Sequence, residues 1–393
     1  MTRPSPRPPA RVLHVVSNMD RGGAETMLMN YYRRVDRTRL QFDFLVHAAQ
    51  EGRFDREVSD LGGRIIRVAS PGAQGPWSYV GQVRREILRW GPFVAVHSHT
   101  DSSGALAICA ARLAGVPRRI VHAHSTGPLR QVRRPTLAVE EAILKLLICA
   151  TVTQRCACGK DAGTYLFGDL AVATPGCVTI LPNAIDMAPF AAAWDSAADV
   201  RRELAVPDGA FLLGHVANLT PVKNHRFVLR LARALHSTGL RFRLLLIGDG
   251  PLRAEVESGI VEAGLTKIVR CLGVRSDVPR LLRALDLFLL PSLFEGLPLS
   301  LIEAQTAGAP CLVSDTVTTE GDLDLQLVSR LSLDLPDAAW VEAVKAALAD
   351  RKPVPFEQVR RALGHKGFDV AANLPILDAM YGTARRGRRV PGC

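Results

Sequence analysis

Three things that the sequence lacks exclude several classes of protein. Aromatic residues make up only 6% of the 393 residues, which is few for a protein that stacks nucleic-acid bases on its side chains. None of the eight cysteines is spaced C-x-x-C, the pattern of many zinc and redox sites. No segment reaches the roughly 20 consecutive apolar residues of a membrane-spanning helix. We therefore expect that the protein has no nucleic-acid partner and no C-x-x-C metal or redox site. We also expect that it is not an integral membrane protein.

The same absences indicate a cytoplasmic protein. We expect most of the cysteines to be buried, reduced thiols, as in cytosolic proteins. The first apolar run, residues 12–16, is too short for the apolar core of a signal peptide and lacks a cleavage site. The longest apolar segment, residues 136–152, is interrupted by three charged residues and fits an amphipathic helix.

Acidic residues are scarce in the first half of the chain only. Residues 1–185 contain 24 Lys and Arg against 14 Asp and Glu, whereas residues 186–393 contain 25 against 24. A basic half attracts polyanions such as anionic lipid headgroups or phosphorylated substrates, and the alternative is an ordinary solvated surface. The densest basic stretch comprises Arg118, Arg119, Arg130, Arg133 and Arg134. An anionic acceptor or the inner membrane surface could meet this stretch, which lacks the interleaved aromatics of a nucleic-acid groove.

Length and periodicity predict two α/β domains. The chain is too long for one hydrophobic core, and short apolar runs alternate with helical patterns in both halves, as in doubly wound parallel sheets. Strands are predicted at residues 11–17, 42–46, 64–68, 93–97 and 119–123, and again at 211–216, 242–247, 268–272, 286–290 and 311–313. Open parallel sheets bind ligands at the carboxyl ends of their strands, so the loops after these strands are the candidate sites.

The strongest candidate is the segment from Phe294 to Glu303, which follows an apolar strand. Gly296 allows close backbone approach, and Pro298 suits the first turn of a helix. Free N–H groups at residues 297–300 would then form an anion site for a diphosphate, which needs no metal.

Two glutamates eight positions apart belong to the same segment. Glu295 lies before the predicted helix and can reach a sugar hydroxyl. Glu303 lies on the helix and can accept two hydrogen bonds from a ribose diol. The alternative is a helix cap with a surface glutamate.

Two further strand-end loops carry candidates. Lys223 follows the strand that opens the second domain, where its ammonium can take up charge on donor phosphates; the alternative is a solvated loop lysine. Gly22 and Gly23 follow the first strand and suit a phosphate or sugar contact at a helix start; the alternative is a plain tight turn.

Histidines follow two strands of the first domain, at His97, His99, His122 and His124. Alternation places each pair on one side of its strand, where an imidazole can orient a sugar hydroxyl or shuttle a proton. A four-histidine metal site is conceivable, but no carboxylate stands at ligand spacing, so no metal ligand is predicted. The plainer alternative is that each histidine is hydrogen-bonded at a strand end.

Together these motifs resemble glycosyltransferase family 4, the retaining enzymes of the GT-B fold, and especially its capsular and exopolysaccharide branch. The resemblance runs nearly end to end. It comprises G-G-A-E at Gly22, P-N-A-I-D at Pro182, K-N at Lys223, G-D-G-P at Gly248, L-G-V-R-S-D at Leu272 and the segment Phe294 to Glu303.

The resemblance implies the following fold and activity. Residues 1–185 would form an acceptor-binding Rossmann-like domain and residues 186–367 a nucleotide-sugar-binding one, facing it across a cleft. Residues 368–393, with the final helix, would cross back to the first domain. The enzyme would move a sugar from a nucleotide-diphosphate sugar to a glycan or polyprenyl-linked acceptor, by front-face attack without a protein nucleophile, cofactor or metal.

The resemblance also implies site residues. Catalytic roles fall to His124, Glu295 and Lys223, with Glu303 on the donor ribose and residues 273–275 around the base. The donor-binding set is Gly23, Asn218, Lys223, Gly248, Gly250, Gly273, Val274, Arg275, Phe294, Glu295, Gly296, Leu297, Leu299 and Glu303. The acceptor-side set is His99, His124 and Arg130.

One position departs from the family pattern. Asn218 stands where the family usually has arginine, and an amide supplies no charge to a phosphate. Either another arginine such as Arg275 substitutes, or the donor binds more weakly. Two other classes of function therefore stay open: a sugar-nucleotide epimerase or hydrolase on the same fold, and a non-catalytic relative.

Overall fold

The computed structural model describes residues 8–20, 22–125, 127 and 135–383. Arg130, Arg133 and Arg134 lie outside these residues, so the structure does not place this basic stretch. The chain forms two compact units, Met1–Ala184 with Val370–Cys393, and Ile185–Asp369. Each unit is built around one parallel sheet.

Seven strands form the sheet of the first unit in its described part. They are β1 (Ala10–Val16), β2 (Leu40–Val46), β3 (Ile65–Arg67), β4 (Ala95–Ser98), β5 (Arg118–Ala123), β6 (Gln154–Ala157) and β7 (Val178–Ile180). Their spatial order is β3-β2-β1-β4-β5-β6-β7. The order changes direction between β1 and β4, which makes their carboxyl ends the expected ligand position.

Helices connect these strands, as parallel pairing requires. They are α1 (Gly23–Arg34), α2 (Asp55–Asp60), α3 (Pro71–Gln74), α4 (Pro76–Trp90), α5 (Gly104–Leu113), α6 (Pro135–Thr151), α7 (Lys160–Phe167) and α8 (Asp169–Ala173). Every residue of β2 is buried, because helices cover both faces of the sheet.

The second unit repeats the plan with six described strands in the order β10-β9-β8-β11-β12-β13. They are β8 (Phe211–Val216), β9 (Phe242–Ile247), β10 (Val269–Gly273), β11 (Leu287–Leu290), β12 (Cys311–Ser314) and β13 (Val328–Leu331). Its helices are α9 (Met187–Ala193), α10 (Ala197–Glu203), α11 (His225–Ser237), α12 (Arg253–Glu262), α13 (Val278–Arg283), α14 (Leu299–Thr306), α15 (Asp337–Ala349) and α16 (Phe356–His365). The order changes direction between β8 and β11.

The last helix, α17 (Val370–Tyr381), returns the chain to the first unit. Its buried residues join the core of that unit. Asn373 Nδ2 donates to Tyr31 Oη at 3.1 Å, and Tyr381 Oη lies 2.8 Å from His97 Nδ1. The predicted fold class, two doubly wound Rossmann-like domains with a final helix that crosses back, is confirmed.

Two smaller expectations concern the burial of the cysteines and the length of apolar helices. Of the seven described cysteines, only Cys156, Cys158 and Cys311 are buried, and Cys149 is exposed. The expectation that most are buried is therefore wrong, because Cys109 and Cys149 lie on helices, Cys177 lies in a turn and Cys271 lies in an edge strand. Within the described ranges, the helices are too short or too polar to cross a membrane.

Candidate functional site

An ion pair lies at the switch point of the second sheet. Lys223 ends a 3-10 turn (Pro221–Lys223) that follows β8, and Glu295 lies in the loop that follows β11. Lys223 Nζ donates to Glu295 Oε1, and Ser292 Oγ donates to the same oxygen at 2.7 Å. The Lys223 side chain is 20% exposed and that of Glu295 11%. The sheet thus brings together two predicted catalytic side chains that are 72 positions apart.

Two hydrogen bonds join the two loops that carry this pair. Asn224 adopts a left-handed conformation (φ 55°), and its Nδ2 donates to Pro291 O at 3.1 Å. Leu293 N donates to Val222 O at 2.8 Å. The asparagine of the K-N motif therefore holds the lysine loop against the glutamate loop.

Helix α14 begins one residue later than the sequence suggests. Pro298 is the N-cap residue with extended backbone (ψ 110°), not a residue of the first turn, and Leu299 is the first helical residue. No backbone acceptor among the described residues takes the N–H of Leu299 or Ser300, as expected at a helix start. These two N–H groups, next to Glu295, can bind an anion.

Glu303 lies one turn into α14 with its carboxylate desolvated. Burial raises the pKa of Glu303 to about 7, and within the described residues no side chain or backbone N–H donates to its carboxylate. A carboxylate in this state can accept hydrogen bonds from two hydroxyl groups of a ligand. This arrangement is what a ribose diol requires.

Two glycine-containing segments, after β9 and at the end of β10, pack with the loop after β8 at the same edge of the sheet. A Cβ on Gly248 would lie 2.0 Å from Ala217 O, and one on Gly250 would lie 2.6 Å from Leu219 O. Gly248 N donates to Gly273 O at 2.9 Å. Glycine is therefore required at Gly248 and Gly250, where the backbones after β8 and β9 touch.

The remaining predicted donor-site residues differ in their exposure to solvent. Asn218 is exposed, and Val274 follows Gly273 at the end of β10. Phe294 is exposed, whereas Leu297 and Leu299 are buried, so these two leucines can offer a ligand only their backbone. Gly296 lies between the exposed and the buried residues.

Arg275 has partners of its own. Its Nε and Nη2 each donate to Asp277 at 2.8 Å, and Nη2 also approaches Glu203 at 3.5 Å. Its charge is thus largely neutralised within the loop, which disfavours the idea that Arg275 supplies the charge missing at Asn218. Lys223 and the start of α14 therefore remain the candidate anion-binding groups of the second unit.

In the first unit, three histidines form a hydrogen-bonded row. His14 Nδ1 lies 3.0 Å from His99 Nε2, and His99 Nδ1 lies 3.0 Å from His124 Nε2. Burial lowers the pKa of His124, and the nearby Asp101 and Asn183 partly offset this. His124 is therefore a neutral hydrogen-bonding group at the end of β5.

Asp101 fixes the loop that carries His124. It accepts hydrogen bonds from His124 N at 2.8 Å and from Ser125 Oγ at 2.8 Å. The residue has a left-handed backbone (φ 48°), which an aspartate tolerates better than most side chains. The sequence held no signal for this role, because the loop partner is 23 positions away.

The two glycines of the G-G pair have different surroundings at the start of α1. Gly23 is the exposed first residue of α1, and a Cβ there would meet nothing within 4 Å. A Cβ on Gly22 would lie 2.2 Å from Glu25 Oε2, and burial raises the pKa of Glu25 to about 7. The flexible tip of the Glu25 side chain thus fills the space beside Gly22, which makes Glu25 a further polar group at this strand end.

Solved structures with the same fold include proteins named as glycosyltransferases. HepE of Anabaena, solved in complex with UDP and glucose, superposes with a TM-score of 0.74 at 17% identity, over 95% of this chain and 100% of HepE. At this identity the likeness concerns the fold alone.

Sequence families give the closer assignment. Residues 196–367 match the model of the family described as glycosyl transferases group 1, and residues 22–157 match that of the glycosyl transferase 4-like domain. The chain belongs to the group 1 glycosyl transferases and is a glycosyltransferase.

Two curated relatives have related names. EpsF of Bacillus subtilis (strain 168), named as a glycosyltransferase, is 41% identical over 371 residues, 94% of this chain and 96% of EpsF. An Escherichia coli UDP-Gal:alpha-D-GlcNAc-diphosphoundecaprenol alpha-1,3-galactosyltransferase is 30% identical over 58% of this chain and 60% of that enzyme. The resemblance to family 4 drawn from the motifs is confirmed.

Proposed function

We propose that this glycosyltransferase moves a sugar from a nucleoside-diphosphate sugar to a glycan or polyprenyl-linked acceptor in cell-surface polysaccharide biosynthesis, with retention of configuration. The ion pair of Lys223 and Glu295 at the switch point carries the proposal. A diphosphate leaving group gains negative charge as the sugar departs, and a fixed ammonium stabilises that charge.

The donor's other groups find matching chemistry in the second unit. The N–H groups of Leu299 and Ser300 suit the phosphate oxygens, and Glu303 suits the ribose diol. Glu295 is held by hydrogen bonds from Lys223 and Ser292, and its carboxylate can accept a further hydrogen bond from a hydroxyl of the transferred sugar. We place the base beside Val274 and Arg275, at the end of β10.

We assign acceptor binding to His99 and His124, at strand ends of the first unit. His99 fixes the orientation of the His124 ring through its 3.0 Å hydrogen bond. A neutral imidazole held in this way can orient an attacking hydroxyl or the sugar. Retention would follow from attack on the face that the diphosphate leaves, with the leaving phosphate accepting the hydroxyl proton.

The relatives support the acceptor class. The Escherichia coli relative is named for a diphosphoundecaprenol-linked acceptor, and a Staphylococcus aureus relative, 20% identical, is named for capsular polysaccharide biosynthesis.

We expect one class of nucleotide sugar to stabilise the purified chain in a thermal-shift screen of uridine and guanosine diphosphate sugars. At a ligand concentration about 100 times Kd, linkage gives about 2.7 kcal/mol, or roughly 5–10 °C for a unit of this size. Configuration is checked by NMR of the product, which should keep the anomeric form of the donor.

The products distinguish the alternatives. A free, epimerised nucleotide sugar would indicate an epimerase, and a free sugar formed equally fast without acceptor would indicate a hydrolase. If no nucleotide diphosphate or nucleotide sugar shifts the melting temperature, the chain is a non-catalytic relative and the proposal fails.

We further propose that α6 docks on an anionic membrane surface. Three of its apolar side chains lie at helical spacing and face solvent: Val139 is 61% exposed, Ile143 58% and Leu146 71%. Leu113, at the end of the neighbouring α5, is also 58% exposed. In sequence, Arg130, Arg133 and Arg134 directly precede α6. An apolar helix face beside basic residues is typical of interfacial helices.

Replacing Ile143 and Leu146 by glutamate should weaken binding to phosphatidylglycerol vesicles about tenfold or more, since each leucine-sized side chain contributes roughly 1.5–3 kcal/mol when buried. Co-sedimentation with vesicles measures this. Leu170→Glu is the matched control, because Leu170 is an equally exposed leucine on α8. Equal binding by the double variant and the wild type would refute the docking surface.

A further inference from the structure

Six metal-ligating side chains share one face of the first sheet. Strand register pairs His14 with His97 and His122 with Cys156. Because side chains alternate along a strand, His99 and His124 lie on the same face as these four. The cluster defined by these six residues, the histidine cluster, lies against α17 and is almost wholly buried.

The histidine cluster has more ring nitrogens than hydrogen-bond partners. Among the described residues, no partner is found for Nε2 of His14 or Nε2 of His97, and His122 has only the nearby Leu181 carbonyl. Buried polar atoms are nearly always satisfied by protein, water or an ion. An ion that accepts the lone pairs of such ring nitrogens is one group that would satisfy them.

We propose that the chain binds one divalent transition-metal ion of the zinc class through His97, His122 and Cys156. One ligand atom from each of these residues lies within 4.8 Å of the others, and all three are fully buried. Two imidazoles and one thiolate form a borderline-soft donor set that Zn²⁺ and Co²⁺ favour. The Cys156 thiol loses its proton to solvent when the ion binds.

Other groups orient these ligands. With His97 Nδ1 donating to Tyr381 Oη at 2.8 Å, Nε2 presents its lone pair to the ion. The Leu181 carbonyl lies beside His122 and favours an N–H on that side of the ring. Outer partners of this kind are usual for metal-bound histidines.

Two other trios are close enough to hold an ion, His14–His97–His99 and His99–His122–His124. Both use His99, whose two ring nitrogens are already hydrogen-bonded to His14 and His124. Binding an ion at His97, His122 and Cys156 would break no hydrogen bond between histidines. The sequence missed it because Cys156 lies in a strand 34 positions beyond His122.

The test uses the full chain, stripped with a chelator and dialysed against Co²⁺. We expect one Co²⁺ per chain, tetrahedral visible bands and a thiolate-to-cobalt band in the near ultraviolet. Cys156→Ser should abolish the thiolate band, and His97→Gln or His122→Gln should weaken Co²⁺ binding at least 10²-fold. Two matched controls should change nothing. Cys311→Ser replaces a buried cysteine of the other sheet, and His47→Gln replaces a histidine bonded to Tyr79 Oη at 2.9 Å.

Absorption-edge spectroscopy of the zinc-loaded wild type keeps the test valid if a variant fails to fold. It should report one sulfur at about 2.3 Å and two imidazole nitrogens at about 2.0–2.1 Å. No bound metal above the dialysis blank, a shell without sulfur, or a thiolate band that survives Cys156→Ser would overturn the proposal.

Discussion

Lys223→Ala is expected to lower kcat by about 10²- to 10³-fold, the loss usual for removing one group that stabilises charge in the transition state. Neither Asn218 nor Arg275 can replace the ammonium, because Asn218 is uncharged and Arg275 is paired with Asp277. The change also leaves the Glu295 carboxylate largely buried without its cation. The free energy of unfolding should therefore fall by about 1–3 kcal/mol.

Initial rates of nucleotide release, with donor and acceptor present, measure the effect. Lys366→Ala is the matched control, because Lys366 also pairs with a carboxylate of the same unit, that of Asp324. That pair is more exposed and far from the switch-point loops in sequence, so its loss should leave kcat unchanged. Full turnover by Lys223→Ala would remove Lys223 from the site.

Glu303→Gln is expected to reduce turnover by about 10²-fold and, unusually, to stabilise the protein above pH 7. The amide keeps only one acceptor for the ribose diol, and hydrogen bonds to a charged group contribute roughly 1.5–3 kcal/mol each. Burial raises the pKa of Glu303 from an ordinary 4.5 to about 7. The folded state therefore retains a proton that the unfolded chain releases between these pH values.

The sign of the pH dependence follows directly. As pH rises from 4.5 to 7, the wild type loses stability, because ionising a desolvated carboxylate costs free energy. Glutamine avoids this cost, so the variant should be more stable by up to about 3 kcal/mol at pH 8, and the difference should vanish below pH 4.5. Urea unfolding of both proteins at pH 5 and pH 8 measures it.

Glu342→Gln is the matched control for Glu303→Gln, because Glu342 is an exposed glutamate on α15. It should change neither turnover nor the pH dependence of unfolding. If Glu303→Gln and the wild type differ equally at pH 5 and pH 8, the Glu303 carboxylate is not desolvated. Unchanged turnover would separately remove it from the donor site.

Most strands could be predicted because their signal is local. All ten predicted strands are present, and those at residues 211–216 and 242–247 match residue by residue. The unpredicted strands are β6, β7 and β13. Strand β6 begins with the polar residues Gln154 and Arg155, and β7 has only three residues. Strand β13 has the exposed Ser329 between partly buried residues. Such strands carry too little apolar periodicity to be recognised alone.

The candidate site divides in the same way. Motifs with local spacing, such as Glu295 and Glu303 or Lys223 and Asn224, are visible in the sequence. Gly22 and Gly23 were also visible as a pair, whereas only the structure shows that the Glu25 side chain folds back against Gly22. Arg275 was offered as one alternative source of the charge missing at Asn218, and its ion pair with Asp277, seen only in the structure, disfavours that alternative.

The sequence by itself therefore determined the two-domain α/β fold, the loops that follow the strands and the chemistry of the segment Phe294 to Glu303. Apolar alternation, glycine turns and helix starts are properties of neighbouring residues. Only the tertiary structure decided that Lys223 meets Glu295 and that His14, His97, His122 and Cys156 share one buried face. The reason is that hydrogen bonding between strands far apart in sequence sets the register of a parallel sheet, and that register brings these side chains together.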